Sequence, residues 1–253
     1  MKAVSEVVST LIVSGTIIVV SLIIFFYALY NVQSSINSAE FGYIRTVFYS
    51  IATNIPNIVE GGSFGANTPS RIVGIGYINL SDVTIHISIE NETTTLLDYA
   101  STPKALEATA YAALITSNTT LYGCNCYIVN DTGLLSRIQA LYYGGATHLR
   151  LDTARVYIRI YLFKEDSVTR YVVNILYLEL KPEIISTHPT RLVVYASKNI
   201  VSKTYSNISN IEITYTNTSG TYTTTLHDLL PSLSSNDIVD ANIVVKEVSV
   251  VIA

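Results

Sequence analysis

The residues whose types and spacing could support chemistry are few, and the strongest pattern is a glycine-serine motif. Gly61-Gly62-Ser63-Phe64-Gly65 matches the G-x-S-x-G pattern of a hydrolase nucleophile elbow. That elbow needs a strand before it and a helix after it, whereas here a helical pattern ending near Pro56 precedes it and Asn67-Thr68-Pro69 follows. We therefore interpret residues 59–70 as a glycine-rich hinge, because glycine permits turns that other residues resist. No catalytic residue is predicted, and the protein is not expected to be an enzyme.

Neither the histidines nor the cysteines predict a metal site or a cofactor. The four histidines show none of the paired spacings of metal sites, and each is interpreted as a surface or strand-face residue. These are His86, His148, His188 and His227. Cys124 and Cys126 predict an intrachain disulfide, since two thiols outside the cell usually oxidise, and such close spacing requires a local bend. A metal site at these thiols is the alternative, although two sulfurs alone do not complete a tetrahedral zinc site.

Six Asn-x-Ser/Thr sequons are candidate glycosylation sites. They begin at Asn79, Asn91, Asn118, Asn130, Asn207 and Asn217. All six follow the apolar N-terminal region described next, and most lie beside predicted turns, where a glycan can extend into solvent. We expect them to be glycosylated if the host has the machinery.

The N-terminal region has the length and composition of a membrane span. In Val7–Tyr30, 18 of 24 residues are aliphatic or aromatic, and no Asp, Glu, Lys, Arg or His occurs between Glu6 and Glu40. About 20 apolar residues span a bilayer core, whereas the apolar core of a secretory signal has only about 7 to 15 residues. We expect the segment to be retained, with Lys2 on the cytoplasmic side and the rest of the chain outside.

The apolar pattern continues beyond this span as a stripe on one side of a helix. Its members recur at three- and four-residue spacing. They are Ile36, Ala39, Tyr43, Ile44, Val47, Phe48 and Ile51. Pro56 is the first residue expected to stop the helix. We predict one helix of about 50 residues, roughly 75 Å long, which is apolar all round in its first half and amphipathic in its second.

The start of the chain resembles a known family. Lys2-Ala3-Val4-Ser5-Glu6-Val7-Val8-Ser9-Thr10-Leu11-Ile12 is similar to the beginning of archaeal type IV pilins and archaellins, which have a basic residue, Gly or Ala, a short motif around Val-Ser and a long apolar helix. The likeness covers about the first 35 residues. In that family a prepilin peptidase cuts just before the helix, which implies a leader of residues 1–3 and cleavage between Ala3 and Val4.

The resemblance also implies how the chain assembles. Residues 4–58 would form the assembly helix, and we name seven residues as candidates for contacts between subunits. They are Glu6, Leu11, Ile12, Ile18, Leu22, Phe25 and Phe26. In related bacterial pilins a glutamate near the mature start pairs with the terminal amine of an adjoining subunit, and by resemblance Glu6 would pair with the Val4 amine.

The remainder of the chain is predicted to be a β-rich head. Apolar and polar residues alternate with the period of two that is typical of half-buried strands. This alternation covers residues 83–89, 156–162, 172–180, 211–216 and 243–252. The second and third of these segments predict a long hairpin across the polar turn Lys164-Glu165-Asp166-Ser167. Only the alanine-rich Pro103–Ser117 looks helical. We predict an α+β fold with a sandwich-like head at 71–253, whose core is independent of the N-terminal helix.

Composition and pattern together favour a structural function. The chain is 13% charged with a net charge of -4, and the lack of a basic stripe excludes a nucleic-acid binder. We expect a subunit of an extracellular filament like an archaeal type IV pilus, serving adhesion. Its partners would be further copies of itself, the prepilin peptidase, the pilus assembly machinery and, before assembly, the membrane. The alternative is a monomeric membrane-anchored receptor or adhesin, and an anchored hydrolase comes third.

Overall fold

The structure is a computed structural model that describes residues 2–68, 73–110, 113–165, 168–184, 191–234 and 236–253, with the side chains of residues 2–7, 73 and 165 left aside. The fold is α+β, as predicted: one long helix precedes a β-rich head. The helices are α1 Lys2–Val59 and the single-turn α2 Leu226–Leu229. The strands are β1 Ser63–Asn67, β2 Val73–Asn79, β3 Thr84–Glu90, β4 Thr95–Ser101, β5 Lys104–Ala110, β6 Thr119–Tyr122, β7 Ile128–Val129, β8 Arg137–Tyr143, β9 Ala146–Asp152, β10 Val156–Glu165, β11 Val168–Ile184, β12 Arg191–Tyr205, β13 Asn210–Asn217, β14 Gly220–Thr225 and β15 Ile238–Ile252.

Helix α1 is 58 residues long, or about 87 Å at the standard rise, and it continues past the residue expected to stop it. A proline inside a helix lacks the N–H that would bond to the carbonyl four residues earlier. For Pro56 that carbonyl belongs to Ala52, and the buried Ser136 Oγ donates a hydrogen bond to it at 3.3 Å. The head therefore supplies the donor that the proline lacks.

The helix ends at a glycine turn held by the head. Gly61 adopts a φ of +106°, which favours glycine. Gly61 N and Gly62 N donate to the carbonyls of Ile58 and Asn57, and the Lys246 side chain donates to the Val59 carbonyl. These bonds satisfy carbonyls that the last turn of a helix leaves unpaired.

The glycine-rich hinge prediction is wrong for Ser63–Asn67. These residues form β1, which pairs antiparallel with Arg191–Tyr195 of β12. Pro69, near the end of the predicted hinge, lies outside the described residues. The connection from helix to head is thus a tight turn followed by an edge strand.

The predicted helix at Pro103–Ser117 is also wrong. Lys104–Ala110 form β5, an interior strand of the five-stranded sheet β2-β5-β9-β8-β6, while residues 111–112 lie outside the described residues. Alanine favours helix only weakly, and tertiary packing overrides such a preference. Ala108 and Ala110 are fully buried in the core that contains α1, where small side chains let the helix lie close to the sheet.

The head has two further sheets. One is a four-stranded antiparallel sheet of order β14-β13-β3-β4, and the other is a central six-stranded sheet of order β1-β12-β15-β11-β10-β7. The predicted hairpin is confirmed, because β10 pairs antiparallel with β11 from Val156↔Tyr177 to Glu165↔Val168; its turn residues 166–167 lie outside the described residues. In the middle of the central sheet β11 and β15 run parallel over their whole paired length.

The central sheet serves two cores because its longest strands change their buried face midway. In the first part of β11 the buried side chains are odd-numbered up to Tyr177 and pack beneath the four-stranded sheet. From Leu178 onward they are even-numbered and pack against α1. The neighbouring β15 changes in the same way between Val245 and Val248. Since successive strand side chains point to opposite faces, each face of this sheet is covered over a different half.

The predicted independence of the head from the helix is not what the structure shows. The second half of α1 lies between the central and five-stranded sheets and provides a third of their shared core. Its fully buried members include Ile44, Phe48, Ala52 and Ile55. Removing this half would uncover the apolar faces of both sheets, so the folded head begins inside α1.

Truncation tests where the folded head begins. A protein starting at Ser34 retains the buried half of α1 and should be soluble and β-rich. One starting at Ser63 leaves both sheet faces exposed and should aggregate or fail to fold. Circular dichroism and size-exclusion chromatography compare the two proteins; a soluble, monomeric, cooperatively unfolding protein from Ser63 would contradict the shared core.

A double-mutant cycle tests the bond that accommodates Pro56. Ser136→Ala leaves the Ala52 carbonyl buried without its donor and should lower the free energy of unfolding by about 1 to 3 kcal/mol. In a Pro56→Ala background the new backbone N–H can bond to that carbonyl, so the same substitution should cost less. Urea unfolding followed by tyrosine fluorescence measures both costs. Equal costs in the two backgrounds would show that Ser136 does not substitute for the missing amide.

Candidate functional site

The longest continuous exposed stretch among the described residues is the first half of α1. Every residue from Val8 to Gln33 is exposed, over about 39 Å at 1.5 Å per residue. An 18-residue window there has a mean hydropathy of 2.6, and among the described residues α1 is the one helix long and apolar enough to cross a membrane. The segment exceeds the roughly 30 Å of a bilayer core. It is compatible with membrane insertion or with a signal anchor.

The residues predicted to mediate assembly lie on this projecting segment. Leu11, Ile12, Ile18, Leu22, Phe25 and Phe26 are each at least half exposed. At about 100° per residue they fall on one side of the helix. The opposite side carries Val13, Val20 and Ile24, which are about as exposed, so the surface is apolar all round and offers more contacts than the predicted set.

The predicted cleavage site lies in the first turns of α1, which begins at Lys2. Ala3, Val4 and Glu6 lie in α1 by their backbone, while their side chains and Met1 lie outside the described part of the chain. The pairing predicted for Glu6 therefore stays a prediction.

The polar side chains on the projecting segment can be satisfied within the helix. Ser14 Oγ donates to the Leu11 carbonyl at 3.1 Å, and Thr16 Oγ1 donates to the Ile12 carbonyl at 2.8 Å. A hydroxyl bonded to its own helix can enter dry surroundings at a lower cost than an unpaired one. These residues therefore do not prevent burial of the segment in lipid or among other helices.

The projecting segment is held in a defined direction by the head. The same helix enters the core without interruption, and Tyr43 Oη donates to the Asn67 carbonyl of β1 at 2.9 Å. With Ser136 bonded to Ala52 and Lys246 to Val59, α1 is fastened at its entry, middle and end. Helix and head therefore form one rigid unit at their junction.

Cys124 and Cys126 are joined by a disulfide. The bend that such close spacing requires is present at Asn125, between the two cysteines. The loop is entered through Gly123, whose φ is +78°. A Cβ there would lie 2.4 Å from the Ser136 carbonyl oxygen, so the position has room only for glycine. The loop is fastened from below, because Arg155 Nε donates to the Cys124 carbonyl at 3.2 Å.

A buried charge cluster lies under this loop. Asp152 is fully buried and Arg155 is 1% exposed; their Oδ1 and NH1 atoms are 2.7 Å apart. Arg137 lies 3.0 Å from the other carboxylate oxygen and donates to Asn125 Oδ1 at 3.0 Å. Although burial alone would raise it, the charges of Arg155 and Arg137 hold the pKa of Asp152 below its ordinary value.

Sequence reasoning missed this cluster. Strand alternation alone leaves the side of the sheet to which Asp152 points undecided, and Arg155 lies in a loop between two strands. The one available signal is the spacing of the opposite charges Asp152 and Arg155, which are three residues apart. That signal does not reveal Arg137 as a second partner, since it comes from another strand.

A cleft of about 630 Å³ opens beside the disulfide loop. It is lined by Asn125, Cys126, Tyr127, Ile128, Arg137, Tyr215, Asn217, Ser219, Tyr222, Thr224 and Leu229. One part of the lining comes from the β13–β14 hairpin of the four-stranded sheet, and the other from the disulfide loop, the two-residue strand β7 and the start of β8. Tyr222 of the hairpin is left 43% exposed.

The histidines occupy three different environments. His148 is buried on a strand face, where its ring stacks on Tyr143 at a centroid distance of 3.6 Å and bonds to Glu107. His86 pairs with Asp98 near the surface. His227 lies in α2, and His188 lies outside the described residues. Within the described part of the chain, no group of three or more His, Cys, Asp or Glu residues could hold a metal.

All six sequon asparagines lie at strand ends or in loops. Four are exposed and two, Asn91 and Asn217, are half-buried. In Asn91, Asn118 and Asn217 the side-chain oxygen accepts a backbone N–H. These bonds involve the side-chain oxygen and not the amide nitrogen to which an N-glycan is attached, so the local structure is consistent with N-glycosylation.

The fold and the projecting segment together define the class of protein, a chain in which one apolar helix extends from a β-rich head. No family model, curated protein or solved structure matches it. Its function therefore has to follow from its own geometry and chemistry.

Substitution of Asp152 tests the buried charge cluster. Asp152→Asn leaves two guanidinium groups without their counter-charge and should lower the free energy of unfolding by about 3 to 5 kcal/mol. The matched control is Asp98→Asn, whose exposed carboxylate should contribute about 1 kcal/mol or less. Thermal unfolding at pH 7 measures both, and equal losses would contradict the assignment.

The buried cluster should also make the stability of the folded protein depend on pH. A carboxyl whose folded-state pKa is lowered contributes stability that is complete above about pH 5 and lost as pH falls through the folded-state value. The wild-type melting temperature should therefore decline below that pH by more than that of Asp152→Asn.

Proposed function

We propose that this chain is a structural subunit of an extracellular filament resembling an archaeal type IV pilus. The observation that carries the proposal is the segment Val8–Gln33, apolar on all sides and projecting from a rigid head. A helix that is apolar all round has to be buried. In the precursor the lipid bilayer covers it, and in the filament the same segments of neighbouring subunits do so.

The junction favours a filament over a simple anchor. An anchored receptor needs only a span and a linker, and its head can be oriented freely. Here α1 passes directly into the core, with Phe48 and Ile55 fully buried and a tight turn in place of a flexible hinge. Such a junction fixes the angle between helix and head, which a helical assembly needs in order to repeat the same contacts in every subunit.

Assembly would exchange lipid contacts for contacts between helices. Lipid tails are as apolar as leucine, so the gain comes from packing and from close approach at small residues. Gly15, between Ser14 and Thr16, has open space around its Cα in the single chain and provides one place for close approach. The β-rich heads would then cover the outside of a core made of apolar helices.

Processing supplies the free N-terminus that the assembled helices require. Prepilin peptidase would cut between Ala3 and Val4, and the new Val4 amine of one subunit would pair with Glu6 of the next. An ionised carboxylate in a dry helical core is costly unless it is paired. The pair would therefore disfavour assembly of unprocessed or misaligned subunits.

Substitution of Glu6 tests assembly separately from folding. Glu6→Gln removes the charge and nearly preserves the shape, so membrane insertion and removal of Met1–Ala3 should be normal while filament yield falls sharply. The control is Glu60→Gln, an exposed carboxylate at the far end of α1. Electron microscopy of native material measures yield, and intact mass measures processing. Detergent-bound monomers alone from the wild type, or a mature N-terminus beyond Tyr30, would refute the filament.

A further inference from the structure

The cleft beside the disulfide loop has no part in helix assembly, yet its lining is organised. Tyr127 stacks on Tyr215 with ring centroids 5.5 Å apart and an interplanar angle of 18°, and it lies against Tyr222 at 5.7 Å. Its hydroxyl is 2.8 Å from Thr224 Oγ1. Three aromatic rings are thereby fixed relative to one another at one wall, and Tyr222 remains 43% exposed.

A second part of the lining presents polar groups that are also held in place. Asp152 and Asn125 hold the Arg137 guanidinium by contacts of its Nε, NH1 and NH2 atoms at 3.0 to 3.1 Å, while its side chain is 17% exposed. A guanidinium has five N–H groups, so Arg137 can bind a further acceptor without leaving these partners. Its position is fixed before any ligand arrives.

The charge of this part of the lining is positive. Arg137 and Arg155 share the one carboxylate of Asp152, so the cluster carries one more positive than negative charge. Arg155 is buried, and Arg137 is the member that lines the cleft. A ligand group that accepts hydrogen bonds and carries negative charge would be attracted to this position.

We propose that this cleft binds an acidic saccharide. The apolar face of a sugar ring packs on Tyr222, its hydroxyl groups bond to the polar rim that includes Asn125 and Thr224, and its carboxylate or sulfate binds Arg137. A mostly apolar ligand would leave Arg137 without its acceptor, and an extended acidic peptide would not use the exposed ring of Tyr222. The inference depends on the head alone and goes beyond the proposed filament.

The saccharide could reach the cleft from two sources. One is a polysaccharide outside the chain, and the other is the glycan of the sequon Asn217-Thr218-Ser219, whose asparagine and serine both line the cleft. Ser219→Ala removes the sequon while keeping the backbone N–H that bonds to Asn217 Oδ1. The variant therefore separates an external ligand from the chain's own glycan without altering that turn.

Calorimetric titration of the full chain in detergent tests the proposal, since binding there does not depend on filament formation. The probes are a galacturonate trisaccharide, neutral maltotriose and triglutamate. The acidic saccharide should bind about tenfold or more tightly than either other probe, because each lacks one of the two contacts. Binding that appears only with Ser219→Ala would support the same chemistry with the chain's own glycan as the source.

Matched variants locate the binding. Tyr222→Ala should weaken galacturonate binding about tenfold, whereas Tyr142→Ala, an equally exposed tyrosine outside the cleft, should leave it unchanged. Arg137→Lys keeps a charge beside Asp152 but loses the forked donor, and it should reduce the preference for the acidic over the neutral sugar. Equal binding of triglutamate, equal losses in the two tyrosine variants, or no saccharide binding to either wild type or Ser219→Ala would overturn the proposal.

Discussion

The apolar surface of α1 is the constraint on which the rest of the molecule depends. From Asn37 onward one side of the helix is buried between two sheets of its own head, and from Val8 to Gln33 every side is exposed. A single unbroken helix thus joins a region whose apolar side is buried in the head to a region whose apolar surface is exposed. Because the buried part fixes the direction of the exposed part, whatever covers the exposed part meets a helix of defined orientation.

The long strands of the central sheet allow this arrangement. A sheet that buried only one face could pack against α1 or against the four-stranded sheet, but β11 and β15 do both by changing their buried face near Tyr177 and Val245. Each strand is at least 15 residues long, well above the usual five or six. The helix-containing core and the all-β core therefore share these two strands.

Much of this fold could be predicted because local pattern and tertiary environment agree. Four residues of the predicted stripe, Ile44, Val47, Phe48 and Ile51, lie on the buried side of α1, whereas Ile36, Ala39 and Tyr43 are exposed. Alternation predicted the β10–β11 hairpin, since such a pattern records which side of an element is buried. Prediction failed at Pro56 and at Lys104–Ala110. In both places a part of the chain that is distant in sequence decides the outcome. Ser136 donates the hydrogen bond that Pro56 cannot donate, and the helix α1 packs against the small side chains of β5.

Of the two candidate sites, one is visible in the local sequence pattern and the other is formed by residues from distant parts of the chain. The projecting segment could be found from composition, since a charge-free apolar run needs no tertiary partner to be recognised. The cleft could not, because its residues come from the disulfide loop, β8 and the β13–β14 hairpin, which are far apart in the sequence. No local spacing relates Arg137 to Tyr222. The two residues meet only in the folded chain, where both line the cleft.

The charge cluster explains why these distant parts keep a fixed arrangement. Asp152 ends β9, Arg137 begins β8, and Arg155 reaches the disulfide loop. The adjacent Thr153 donates to the Leu178 carbonyl of β11 at 2.9 Å, where the buried face of that strand changes. A buried ion pair is costly unless its geometry is complete, so the cluster favours one arrangement of loop, sheets and strand. The point where the two cores meet is thereby also the support of the cleft.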